Sequence, residues 1–121
     1  GLENRARFDE ARAAYRRVID SEAGRGTETA AESQFRIAES YLKENNLPVA
    51  LREYYKVYAG YAVPRLASAA LFQAASCDVT MKHYQEAMTT YRKLITEFPE
   101  SEFTGQAKDR IKELEAALPQ K

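Results

Sequence analysis

Cys77, Asp78 and His83 are the residues whose types and spacing could do chemistry. A thiol near an imidazole can act as a nucleophile with its base. The rest of the sequence points to a plainer reading. It holds one cysteine and one histidine, and it contains no glycine-rich phosphate loop and no HExxH or CxxC spacing. Ser40, another small residue, stands 37 residues before Cys77 (77 − 40) on an equivalent turn. Cys77 therefore reads as a small buried filler, and His83 as a solvated residue at a helix start. No catalytic, cofactor-binding or metal-binding residues are expected. Glu113 and Glu115 lie among lysines on an exposed helix face, an ordinary solubilising pattern.

Composition narrows the functional classes. The chain has 121 residues, 45% hydrophobic and 30% charged, which is one domain's length of ordinary globular material. Lysine plus arginine and aspartate plus glutamate both number 18, so no global basic field exists to hold nucleic acid or anionic lipid. The longest uncharged stretch, residues 66–77, falls far short of the ~20 residues that span a bilayer. A single cysteine excludes an internal disulfide framework, leaving packing to stabilise the fold.

The elements that position these residues recur. In YQEAMTTYRKLITEFP, residues 84–99, Ala87 is followed at helical spacing by Tyr91 and Leu94, and a proline ends the pattern. Ala50, Tyr54 and Val57 repeat it 37 residues earlier (87 − 50), and Ala11, Tyr15 and Val18 a further 39 earlier (50 − 11). Intervening positions keep the same phase: Ile37, Ala74 and Ile111, and likewise Ser33, Ala70 and Ala107. A fixed period in this range means stacked supersecondary units.

Six helices are expected. Residues 3–19 carry an apolar stripe of Phe8, Ala11, Tyr15 and Val18, and DSEAGRGTET, with Gly24 and Gly26, is a loop. Thr29 and Glu32 have the form of a reciprocal capping box, which predicts a helix from about Ala30 to Glu44 that buries Ile37, Ala38 and Tyr41. Asn45 and Asn46 mark its end. Pro48 suits the first turn of a third helix and Pro64 opens a fourth, alanine-rich one over 64–80. A fifth covers 83–98 and a sixth 101–118, whose Lys112 and Glu115 give the polar outer face of a terminal cap.

Helix pairs with Leu47 and Tyr84 ahead of Ala50 and Ala87, then Tyr54 and Tyr91, then Pro64 or Pro99, resemble tetratricopeptide repeats. The longer step and the ending FPESEFTGQAKDRI are similar to the subgroup in bacterial cell-envelope proteins, such as the Tol-Pal-associated coordinator and the outer-membrane assembly lipoprotein. The sequence departs from that pattern at Ala38 and Ala75, where glycine is usual, at Asp78, where an aromatic is usual, and at Pro64, two residues late. The resemblance implies an all-α solenoid, a right-handed superhelix of hairpins with a C-terminal capping helix. Its units would be residues 1–20, the second helix of a truncated repeat, then 29–62, 64–99 and the cap at 101–118. The chain then reads as a piece excised from a longer array.

By the same resemblance, the first helices of successive pairs line a concave groove that holds a peptide or a partner helix. Groove positions fall on Glu32, Phe35, Arg36, Glu39, Leu42 and Lys43 in one unit, and on Ala69, Phe72, Gln73, Ser76, Val79 and Thr80 in the next. Phe35 and Phe72 would be apolar anchors, with Arg36, Glu39 and Lys43 setting orientation; the alternative use of the two rings is to fill space between helices. The carboxylate clamp of co-chaperone relatives is not expected. Its lysine and asparagine places fall on Phe35 and Glu39, and Gln73 and Arg110 match it only loosely. The implied function is a non-catalytic scaffold for protein partners, with no nucleic acid and no membrane insertion in this segment. The alternative is a self-assembly module, a homo-oligomer formed through the incomplete first repeat. The resemblance favours a periplasmic or envelope location over a cytoplasmic one.

Overall fold

The computed structural model describes residues 1–21 and 26–118. It contains six helices, α1 (Leu2–Asp20), α2 (Glu28–Lys43), α3 (Leu47–Gly60), α4 (Pro64–Thr80), α5 (Tyr84–Glu97) and α6 (Thr104–Ala117), and no strand among the described residues. Each helix packs on the next in chain order, and α2 also touches α4. That contact pattern is the helical-repeat solenoid the period predicts.

The core is two linked clusters. In the first, Ala50, Tyr54 and Val57 of α3 meet Ala31 and Ala38 of α2, and Leu66, Ala70, Ala74 and Cys77 of α4. The second packs Ala87, Met88, Tyr91 and Leu94 of α5 against Leu71 and Ala75 of α4, and Ala107 and Leu114 of α6. Helix α4 thus has two buried faces, which is why its sequence is alanine-rich nearly all round. Ala50 and Ala87 are 0% exposed, each at the close approach of two helices. Their equivalents in α1 fare differently. Ala11, Tyr15 and Val18 are only half-buried, as is Phe8, because the described residues supply no second helix for that stripe.

Two inter-helix turns repeat in register. Asn45 at the end of α2 takes φ 62° and Lys82 at the end of α4 takes φ 66°. The following amides close the same six-residue loop, Asn46 N–H to the Tyr41 carbonyl (2.9 Å) and His83 N–H to the Asp78 carbonyl (2.7 Å). Asparagine at Asn45 signals this conformation in the sequence. Lysine at Lys82 does not, yet the turn imposes it.

Four details differ from the sequence reading. The N-cap of α2 is Thr27, not Thr29, and its hydroxyl accepts from Ala30 N–H at 3.1 Å. Glu32 is instead held by Arg65, so the reciprocal box does not form. Helix α6 begins at Thr104 and α5 stops at Glu97, because Phe98 to Phe103 form a separate turn in which Thr104 Oγ1 donates to the Phe98 carbonyl (2.8 Å). Tyr41 is half-buried, covered by the Arg12 guanidinium 4.0 Å from its ring centre. Of the expected loop, residues 22–25 lie outside the described residues, Asp20 ends α1, and Glu28 and Thr29 already belong to α2, with Gly26 between at φ 73°.

Two substitutions test this packing by urea denaturation. Ala87→Leu should cost about 1–3 kcal/mol by overfilling its niche. Lys82→Gly should add about 0.5–1 kcal/mol by relieving the left-handed backbone.

Candidate partner-binding surface

Helices α2 and α4 carry the residues on which the groove reading rests. Phe35 projects from α2 with one edge against buried Tyr54, ring centres 5.4 Å apart at 70°. One repeat on, Phe72 meets Tyr91 at 5.6 Å and 63°, and also Phe103 at 5.2 Å. Both phenylalanines are half-buried, so each ring packs on the core and keeps some surface in water.

A cleft of about 200 Å³ brings four of the expected positions together, Glu32, Phe35, Arg36 and Ala69, beside Arg65 and Glu102. The remaining expected positions lie outside this cleft, most of them engaged in other contacts. Leu42 and Val79 pack against the first and second clusters. Ser76 Oγ lies 3.2 Å from the Tyr91 hydroxyl, and Thr80 Oγ1 donates to the Ser76 carbonyl. Glu39 accepts from Arg36 at 3.0 Å; Lys43 is exposed and Gln73 half-buried.

Arg65 is the residue that sequence reading missed. Its guanidinium donates to Glu28 (2.6 Å) and Glu32 (3.1 Å), tying the start of α4 to the start of α2. The signal was present: Glu28, Arg65 and Glu102 are successive steps of 37 with alternating sign. A second unforeseen cluster lies between α1 and α2. Arg12, 4% exposed, pairs with Asp9 and Glu44, donates to Ser40 Oγ (3.1 Å) and stacks on Tyr41. In register it occupies the place of Leu51 and Met88, so a charge at an apolar repeat position marked it.

The residues first considered for chemistry have other surroundings. Burial pushes the Cys77 thiol up to about 11, which keeps it protonated at neutral pH. Asp78 is buried, and burial raises its carboxyl above the usual range although His83 Nδ1, 3.5 Å away, opposes the shift. Among the described residues no cluster of three or more histidine, cysteine, aspartate or glutamate side chains is placed to hold a metal ion. No described helix is long and apolar enough to cross a membrane.

The paired helices, their shared turn geometry and the 37-residue register are the marks of one repeat class. Residues 69–101 match the tetratricopeptide repeat. The matched stretch begins within α4, covers α5 and ends in the turn before α6. Tetratricopeptide repeats generally mediate protein–protein interaction, and this segment supplies Phe72 and Tyr91. Among curated proteins, none matches the chain.

Asp78 gives a pH prediction. Its folded pKa is raised, so its protonated form favours the fold, and that stability is lost as pH rises through the folded pKa. Asp78→Asn should therefore raise the melting temperature at pH 7 and flatten the decline from pH 4 to pH 7, read by thermal denaturation at each pH.

Proposed function

We propose that the chain is a non-catalytic interaction scaffold that holds an extended peptide or partner helix on the face built by α2 and α4. The observation that carries this reading is the pair of half-buried rings, Phe35 and Phe72, placed one repeat apart and each braced edge-on by a buried tyrosine. A braced ring loses little freedom when a partner covers it, which is what an anchor needs. Arg36, Glu39 and Lys43 would orient the partner. The resemblance of the ending to bacterial envelope proteins favours an envelope setting.

A second reading has its own support. Ala11, Tyr15 and Val18 are half-buried where their register equivalents are 0–1% exposed, so the α1 face suits a further helix and self-assembly is the alternative function.

Peptides selected on the immobilised chain from a random phage library provide the test. Phe72→Leu keeps apolar packing against Tyr91 and Phe103 but removes the ring. It should weaken the selected peptides at least about fivefold, read by calorimetry, with Phe35→Leu acting likewise. Unchanged affinity in both variants would refute the groove. Concentration-dependent dimerisation abolished by Tyr15→Glu would favour the assembly reading instead.

A further inference from the structure

A larger hollow adjoins the Phe35 cleft, sharing Arg65 and Glu102 with it, but neither Phe35 nor Phe72 lines it. It opens between the start of α4 and the α5–α6 turn, with a volume of about 550 Å³ and an apolar floor of Pro64, Phe98 and Pro99. Glu97, Glu100 and Glu102 line it. Across Pro64 and Phe98 it continues into a second hollow of about 450 Å³ that adds Tyr58 and Tyr61. We propose that this edge cleft is a second docking site, whose ligand is an extended, proline-containing segment of a partner protein bearing an arginine or lysine.

Three observations support that chemistry. The first is charge. Arg65 is the one cation lining the larger hollow, and it is engaged with Glu28 and Glu32 on the α2 side. Lys93 lies over the Tyr58 ring at 5.2 Å, beside the smaller hollow. Glu97 accepts from the Tyr58 hydroxyl at 2.6 Å, while Glu100 and Glu102 form no ion pair among the described residues. The cleft is therefore left negative, and a cation entering it meets carboxylates.

The second is the comparison between repeats. One step of 37 upstream, Glu97, Glu100 and Glu102 correspond to Gly60, Val63 and Arg65. The α3–α4 turn forms without any of the three carboxylates, so stacking hairpins does not require them. Their presence at one turn only is a property of that surface.

The third is shape. The turn is pre-formed: Ser101 Oγ donates to Ser68 Oγ at 2.9 Å and accepts from Phe103 N–H at 3.0 Å. Tyr58 and Phe98 meet edge to face at 6.3 Å and 84°, giving a firm aromatic wall next to two prolines. Aromatic-lined hollows of this kind accept polyproline II segments, which are already extended and lose little entropy on docking. This site does not rest on the concave-face reading, and either can fail alone.

The probe is a fluorescein-labelled octapeptide, Pro-Pro-Leu-Pro-Arg-Pro-Pro-Arg, titrated with the whole chain by anisotropy and by amide NMR. Saturable binding with Kd below about 1 mM is expected, weakening with salt, with shift changes at Ser68, Glu97, Phe98, Glu100 and Ser101, which line this hollow and not the Phe35 cleft. Replacing both arginines by glutamate in the peptide should abolish it. The double variant Glu100→Gln/Glu102→Gln, at two exposed positions that leave the fold intact, should weaken it at least about threefold. Three results would each overturn the proposal: no saturable binding up to about 1 mM, equal affinity in the double variant, or shift changes confined to Phe35, Phe72 and their neighbours.

Discussion

The close approach of helices at buried alanines is the constraint on which the rest of the structure depends. Ala31, Ala38, Ala50, Ala70, Ala74, Ala75, Ala87 and Ala107 are all 0% exposed. A methyl group at each contact lets two helix backbones come near enough for the larger Tyr54, Tyr91, Val57 and Leu94 to close the remaining space. No single hairpin has enough of these contacts to stand alone. Stability comes from the interface each pair shares with its neighbours, and α4, buried on two faces, is where the two interfaces join.

That arrangement explains where polar groups enter the interior. Tyr54 and Tyr91 are the largest fully buried side chains, and the Tyr91 hydroxyl reaches Ser76. At the α1 end, where the solenoid has no further described helix, the apolar register position is taken by Arg12. Its stem and guanidinium cover Tyr41 while two carboxylates and Ser40 satisfy the charge. The opposite end, α6, keeps Ala107 and Leu114 buried inward and leaves Lys112 and Glu115 in water. Among the described helices α4 is buried on two sides, whereas α1 carries a buried charge and α6 an exposed polar face.

The same packing creates the two surfaces proposed for partners. Phe35 and Phe72 rest on the tyrosines that fill the repeat interior, so core and exterior share one pair of aromatic contacts. Core filling and partner contact are therefore not exclusive uses for either ring. Edge clefts arise because helices end in turns of different length, and the α5–α6 turn, longer than the α3–α4 connection, stands away from the start of α4.

Periodicity determined the 37-residue register and the buried Ala–Tyr–aliphatic triads of α3 and α5, because these follow from which residues recur at 3.6-residue spacing, and Pro64 marked the start of α4. The sequence also marked Cys77 as a buried filler beside its equivalent Ser40. Local signals misled where tertiary contacts competed for the same atoms. Glu32 serves Arg65 rather than a capping box, and Lys82 takes a left-handed backbone that its side chain disfavours. Arg12, Arg65 and the α5–α6 cleft depend on groups about 30 or more residues apart meeting in space, and a one-dimensional pattern carries charge and period but not distance. The tertiary structure decided which carboxylates are engaged and which face outward, because only packing fixes how far each side chain can reach.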